Sequence, residues 1–120
     1  MSYVDGFVAP VYPGKREEYR EMCAKAGAVF VEHGALHVVE AFGDDVAHGK
    51  VTDFYRAVQA EEGEDLVFSW IFWPSKETRD AGWKTAMEDE RMKGMDMALF
   101  DGKRMIYGGF ETIYDSKAGA

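Results

Sequence analysis

The sequence predicts that three carboxylates lie on one face of a β-sheet. Asp5, Glu40 and Glu111 each lie within a run of apolar and aromatic residues that is typical of a strand. Successive side chains of a strand point to opposite faces of the sheet, so each carboxylate can be assigned to a face. Apolar surroundings raise the pKa of a carboxylate and allow it to act as a general acid or base. We therefore take these three residues as candidate catalytic groups.

The face that carries them follows from one assumption, that the small and aliphatic positions of each strand pack against helices. Those positions are Val4, Gly6, Val8, Val39, Ala41, Val67, Ser69, Ile71, Ile106 and Gly108. The opposite face then combines the three carboxylates with large aromatic residues that we expect to contact a ligand, namely Trp70, Tyr107, Phe68, Phe42 and Tyr3. Apolar walls with a few convergent polar groups are the usual form of a small-molecule site.

A structural role is the alternative for the same carboxylates. They could accept hydrogen bonds from backbone or tyrosine groups, or pair with Arg104, Arg91 or a partner chain. Ion pairs that only support the fold also perturb the pKa values of carboxylates, and they are more common than catalytic ones. Both interpretations stay open on the sequence.

Alternating apolar and aromatic residues predict four strands. These are Tyr3–Tyr12, Leu36–Gly43, Leu66–Trp73 and Met105–Tyr114. Two longer segments, Lys15–His33 and Lys76–Met92, have apolar residues at helical spacing and are predicted helices. Between residues 44 and 64 the pattern is weaker. Helical offsets after a Thr52 cap predict one or two turns of helix there, formed by Val51, Phe54, Tyr55 and Val58, and an irregular arm beside the third strand is the alternative.

The order of these elements, β-α-β followed by β-α-β, predicts an α+β fold. Two such units form a ferredoxin-like βαββαβ antiparallel sandwich, with a four-stranded sheet and both helices on one face. We expect one domain over residues 1–115 and a C-terminal tail over residues 116–120. The second face of the sheet then needs another subunit or a ligand to bury Phe7, Phe68, Trp70 and Phe72. We therefore expect a homodimer.

The charge of the chain limits its partners. Asp and Glu number 22 against 14 Lys and Arg, which gives a net charge of −8. Such a surface repels phosphate groups, so we expect neither nucleic acid nor an anionic membrane as a partner. No signal peptide or membrane-spanning segment is recognisable, and we expect a cytoplasmic protein. Cys23 is the only cysteine, and its place on the packing stripe of a helix predicts a buried, unreactive thiol.

The sequence predicts no metal site and no other cofactor site. His33, His37 and Glu40 are close in the chain, but His37 and Glu40 are three positions apart on a strand and point to opposite faces. The two adjacent glycines, Gly108 and Gly109, lie inside a strand rather than in a phosphate-binding loop. We therefore expect that the protein works without a cofactor.

Several segments resemble the YbaA-like family, a bacterial family of unknown function. The segments are Tyr3–Phe7, Gly34–Leu36, Val39–Glu40, Gly49–Phe54, Val67–Ile71, Pro74–Lys76 and Phe100–Glu111, of which the last is the most specific. The resemblance implies a ferredoxin-like fold assembled as a dimeric α/β barrel. That assembly is shared by small cofactor-independent monooxygenases, dehalogenases and isomerases, and by proteins with no known activity. Phe42 and Glu90 depart from the tryptophan and the proline that the resemblance leads us to expect.

Two functions are consistent with these observations. The first is binding of a small apolar or aromatic metabolite in a barrel cavity, with the further step of a cofactor-independent reaction. The second is a non-catalytic homodimer whose aromatic sheet face serves only as the dimer interface. The sequence names no reaction.

Overall fold

A four-stranded antiparallel sheet with strand order β2-β3-β1-β4 forms the centre of the computed structural model, which describes residues 2–96 and 98–117. The strands are β1 (Tyr3–Val11), β2 (His37–Phe42), β3 (Asp65–Trp73) and β4 (Ile106–Glu111). The helices are α1 (Arg16–Glu32), α2 (Phe54–Ala57), α3 (Lys76–Glu88) and α4 (Glu90–Lys93). The strand order places β1 and β3 in the centre, which confirms the predicted ferredoxin-like α+β fold.

The last strand ends where its pairing partner ends. Glu111 lies opposite Tyr3 at the start of β1, so β4 stops before the predicted end at Tyr114. One further backbone bond, from Thr112 N to Ser2 O at 3.1 Å, closes this edge of the sheet. Beyond this bond, residues 113–117 lie outside the sheet.

The predicted helix Lys76–Met92 is wrong in one respect, because it is divided at Asp89. The backbone of Asp89 is extended, and its carboxylate accepts a hydrogen bond from Arg91 N at 2.9 Å. Such a local side-chain bond competes with the helical backbone bonds and starts a new helix, α4. At the end of α1, Gly34 has a φ of +115°, the left-handed conformation that favours glycine after a helix.

The connector between β2 and β3 contains the short helix α2, which confirms the helical interpretation. The helix begins after Asp53 rather than after the predicted Thr52 cap, because the Asp53 carboxylate accepts a hydrogen bond from Arg56 N at 2.8 Å. The Arg56 guanidinium also donates to the carbonyl oxygens of Gly49 and Val51. These contacts hold the loop that precedes the helix.

The strand register shows which face of the sheet the helices cover. Asp5 lies opposite Ile71, and Glu40 lies opposite Ser69, so all four residues point to one face. The buried core on that face packs Val29 and Phe30 of α1 against Ile71 and Trp73 of β3. The predicted face assignment is therefore right for β3 but wrong for β1, β2 and β4, whose carboxylates point to the helix-covered face.

Side-chain volume explains the error. On the other face of the sheet, which we call the open face, Phe110 lies over the two glycines Gly6 and Gly108. A large ring thus fills the space above small residues, so small size does not mark the helix-covered positions. Under the helices, Gly82 of α3 admits the ring of Trp73, which a Cβ at that position would overlap. The helix rather than the strand supplies the small residue at this contact.

Candidate functional site

A cavity of about 440 Å³ lies between the sheet and helices α1 and α3. All the methionines within the described residues line it, namely Met22, Met87, Met92, Met95 and Met105. The rings of Phe7, Phe30, Trp83 and Phe100 form further parts of its walls. Ligand pockets typically measure about 300–1,000 Å³, and flexible methionine side chains adapt to ligands of different shape. The size and lining of this cavity therefore suit a small apolar molecule.

The cavity has one polar corner, formed by Tyr19 and Cys23 of α1 and by Glu40 and Ser69 of the sheet. The Tyr19 hydroxyl donates a hydrogen bond to Glu40 Oε1 at 3.2 Å. Burial raises the pKa of Glu40, while hydrogen bonds from Tyr19, Cys23 and Ser69 act in the opposite direction. Burial also raises the pKa of Tyr19 above its ordinary range, so the hydroxyl keeps its proton and remains a donor.

Cys23 is half-buried in the same corner. Burial, reinforced by the charge of Glu40, raises the pKa of the Cys23 thiol to about 12. A thiol with that pKa stays protonated at neutral pH, and the protonated form is a poor nucleophile. The environment of Cys23 therefore favours the unreactive thiol that the sequence predicts.

The polar corner lies where α1 packs against the edge strand β2. Tyr19, Cys23, Gly27, Val38 and Glu40 line both the cavity and a surface groove that follows α1 and β2, and we call these five residues the α1–β2 seam. Part of the Glu40 side chain is exposed to the groove, and the same residue borders the cavity. The seam therefore lies between the surface groove and the cavity, and its side chains border both.

Asp5 lies on the same face of the sheet, but its carboxylate is fully engaged. It is buried and accepts hydrogen bonds from the indole N–H groups of Trp73 at 2.9 Å and Trp83 at 2.8 Å. The guanidinium of Arg79 adds Nη2–Oδ1 and Nε–Oδ2 contacts of 2.7 Å and 3.1 Å. This arrangement corresponds to the structural alternative, with a partner other than Arg104 or Arg91.

The predicted site residues separate into two sets. Six of them lie on the helix-covered face, namely Asp5, Glu40, Glu111, Tyr107, Phe42 and Tyr3. Trp70 and Phe68 lie on the open face, so they do not border the carboxylates as predicted. Of the three carboxylates, Glu40 is the one that lines the cavity, whereas Glu111 is exposed on the edge strand β4.

The sequence analysis did not identify the partners of these carboxylates. Arg79 and Trp83 are four residues apart on one helix, so their side chains share a face and can reach the same acceptor. That spacing was a usable signal for the Asp5 cluster. No comparable signal identifies Tyr19 as the partner of Glu40, because their contact depends on how α1 is rotated above β2.

Within residues 2–96 and 98–117, no group of three or more His, Cys, Asp or Glu side chains is arranged to hold a metal ion. Over the same described ranges, no helix combines the length and the apolar character needed to cross a membrane.

Comparisons with known proteins agree with this fold. The chain is similar to SnoaB, a cofactor-independent oxygenase from Streptomyces nogalater, with a TM-score of 0.56 and 12% identity over 94% of this chain and 95% of that one. It is also similar to a NIPSNAP family protein from Agrobacterium tumefaciens, with a TM-score of 0.56 and 12% identity over 92% of each chain. At this level of identity, both likenesses show the fold alone.

Sequence comparison is more specific. The chain is 59% identical over 116 residues to the uncharacterized protein YbaA of Escherichia coli strain K12, which covers 96% of this chain and 99% of that protein. The model of a family described as "Protein of unknown function (DUF1428)" matches residues 2–102. The resemblance to the YbaA-like family is thereby confirmed, and the chain belongs to the DUF1428 family of proteins of unknown function.

Proposed function

We propose that this protein binds a small, largely apolar molecule in the cavity between the sheet and helices α1 and α3. The observation that carries the proposal is an apolar cavity of about 440 Å³ with Tyr19, Cys23, Glu40 and Ser69 gathered in one polar corner. Burial of apolar ligand surface supplies binding free energy, and a few convergent polar groups orient the ligand. The cavity therefore has the features of a binding site rather than of a packing defect.

Glu40 is the group that we propose for proton exchange with a bound molecule. Its raised pKa makes it a stronger base than an ordinary glutamate, and it borders the cavity beside a tyrosine hydroxyl. The oxygenase named among the solved neighbours supports small-molecule chemistry only by analogy of fold. We accordingly propose ligand binding in the cavity and proton exchange by Glu40. For Asp5 we propose a structural role.

A second proposal concerns the open face, which we expect to form a homodimer interface. Phe68 and Ile106 are each 45% exposed on this face, and Phe110 is 61% exposed. Contiguous exposed apolar surface of this kind marks an interaction site. Packing two sheets face to face would bury these rings and form the α/β barrel that the resemblance implies. The ligand cavity lies on the other side of the sheet, so the two proposed functions do not compete for one face.

Thermal unfolding with a small apolar probe, 4-propylbenzyl alcohol, tests the binding proposal. A probe at a hundredfold excess over its Kd should add about 2.7 kcal/mol to the free energy of unfolding. Ala26 lines the cavity, so Ala26→Leu should fill part of it and remove most of this stabilisation. Ala81→Leu, on the exposed face of α3, is the matched control and should retain it. Equal stabilisation of the Ala26→Leu variant and the unmodified protein would refute the proposed location.

A further inference from the structure

We propose that the cavity selects ligands whose only polar group is a hydrogen-bond donor, a hydroxyl or an ammonium, which binds Glu40 at the α1–β2 seam. The inference rests on the proposed binding function and adds the chemical class of the ligand. Both head groups share the same chemistry toward a carboxylate, and the experiment below distinguishes them.

Glu40 has acceptor capacity that the protein does not use. An ionised carboxylate offers about four lone-pair sites, and hydrogen bonds from Tyr19, Cys23 and Ser69 leave at least one of them free. In the described part of the chain, no Lys, Arg or His nitrogen lies within 4.0 Å of its oxygens. By contrast, Asp5 and Glu64 each have an arginine partner at 2.7 Å. A carboxylate that is partly desolvated and has no cation beside it is stabilised by any donor that a ligand brings.

The cations near the cavity have other partners. Arg16 lies over the ring of Phe42 at 5.2 Å on the groove side of the seam. Arg20, also in the groove, binds Glu17 at 2.7 Å. An anionic head group at the seam would therefore be repelled by the charge of Glu40, and the nearby arginines are already engaged with other groups.

One cation lines the cavity itself. Lys93 contributes to the wall from α4, and its ammonium pairs with Glu90 at 3.3 Å. More than half of the Lys93 side chain is exposed to solvent, so its charge is screened by water. Glu40, in contrast, loses part of its hydration beside the cavity, and this desolvation raises its pKa. The cavity thus favours a donor head over an acceptor head.

The position of Glu40 also defines how the ligand would lie. Glu40 borders both the groove and the cavity, so a head group bound to it lies at the α1–β2 seam. The apolar remainder of the ligand would then extend between the methionine side chains and the rings of Phe30 and Trp83. An elongated molecule with one polar end fits this arrangement.

Three probes with the same body and different heads test the inference. They are 4-propylbenzylamine, 4-propylbenzyl alcohol and 4-propylbenzoate, each titrated calorimetrically at pH 7. We expect the amine and the alcohol to bind the unmodified protein about tenfold or more tighter than the benzoate. Glu40→Gln keeps the shape of the side chain and removes its charge, so it should weaken the amine and strengthen the benzoate. Tyr19→Phe, which keeps the charge of Glu40, should preserve the ranking of the three heads.

The outcomes separate this inference from the function on which it rests. Benzoate binding as tight as that of the alcohol, or a ranking that Glu40→Gln leaves unchanged, would overturn the ligand class and leave the cavity site intact. If none of the three probes binds, both the ligand class and the proposed function are overturned. If the predicted ranking is observed, the ratio of the amine and alcohol affinities in the unmodified protein identifies which donor the site prefers.

Discussion

Arg79 Nη2 lies 2.7 Å from Asp5 Oδ1, and this ion pair joins helix α3 to strand β1. The neighbouring strand makes room for the arginine at Gly109, where a Cβ would lie 2.8 Å from Arg79 Nη2 and 2.5 Å from Tyr3 Oη. Two indole N–H groups, from Trp73 and Trp83, complete the surroundings of the same carboxylate. The buried Asp5 carboxylate thus accepts hydrogen bonds from donors on helix α3 and strand β3.

Removing the Asp5 carboxylate should destabilise the fold strongly. Asp5→Ala leaves the Arg79 charge and two indole N–H groups without their acceptor, and breaking a buried pair of this kind costs about 3–5 kcal/mol. Urea unfolding followed by circular dichroism measures the change in the free energy of unfolding. Asp80→Ala is the control, because Asp80 also binds Arg79 but is half exposed, and it should cost much less than Asp5→Ala. Equal losses in the two variants would contradict a structural role for Asp5.

Two helical glycines should respond to alanine with opposite signs. Alanine normally stabilises a helix interior by about 1 kcal/mol relative to glycine. At Gly82 the new methyl group would overlap the Trp73 ring and approach His33 O to 2.7 Å, so Gly82→Ala should destabilise by about 1–3 kcal/mol. At Gly27 the nearest atom is Val38 Cβ at 3.6 Å, an ordinary contact, and Gly27→Ala should stabilise. Thermal unfolding of the two variants checks both signs, and a stabilised Gly82→Ala variant would show that α3 packs differently on Trp73.

The pH dependence of stability should reveal the raised pKa of Glu40. A group whose folded pKa lies above its ordinary value of 4.5 stabilises the fold below that value, and this contribution is lost as pH rises through the folded pKa. The charged form of Glu40 is therefore the costly one. Glu40→Gln should be more stable than the unmodified protein at pH 7 and nearly equal to it at pH 4. Urea unfolding at the two pH values measures the difference, and a destabilised variant at pH 7 would contradict the assignment.

Glu64 provides the matched control with the opposite sign. The hydrogen bond from the Arg104 guanidinium holds the pKa of Glu64 below its ordinary value, so its contribution is present at neutral pH and is lost as pH falls. Glu64→Gln should therefore lower the free energy of unfolding at pH 7, by about 1–3 kcal/mol, and have less effect in acid. The opposite effects of Glu40→Gln and Glu64→Gln would distinguish a carboxylate without a cation partner from one that is paired with an arginine.

The open face should control the oligomeric state. We expect light scattering to show a dimer of the unmodified protein at low micromolar concentration, because the interface would bury more than about 1,200 Å². Phe110→Glu places a charge within that apolar surface and should produce a folded monomer. Val31→Glu, at an equally apolar exposed position on α1, is the control and should leave the dimer intact. A monomeric unmodified protein at this concentration would contradict the proposed interface.

Strand alternation predicted correctly that Asp5, Glu40 and Glu111 share a face, because side-chain direction has a strict period of two. It could not show which face the helices cover. In β3, Val67 and Ile71 on one side and Phe68 and Trp70 on the other are all apolar, so the pattern carries no inside-to-outside contrast.

The cavity is harder still to predict from sequence. It depends on where the methionines of three separate segments come together, and on the rotation of α1 that brings Tyr19 to Glu40. Neither the meeting point of the methionines nor the rotation of α1 can be read from the spacing of residues within one helix or strand. Family resemblance supplied the fold but assigned no residue roles, so the site became visible only in three dimensions.

Fluorine NMR of the protein labelled with 5-fluorotryptophan tests the central claim most directly. The chain has three tryptophans, of which Trp83 lines the cavity, Trp70 lies on the open face and Trp73 is fully buried. The variants Trp70→Phe and Trp83→Phe assign these two resonances, which are then followed in the unmodified protein during titration with 4-propylbenzyl alcohol. We expect a saturable shift of the Trp83 resonance and none at Trp70. A saturable shift at Trp70 with an unchanged Trp83 resonance would place the ligand on the open face and contradict the cavity as the binding site.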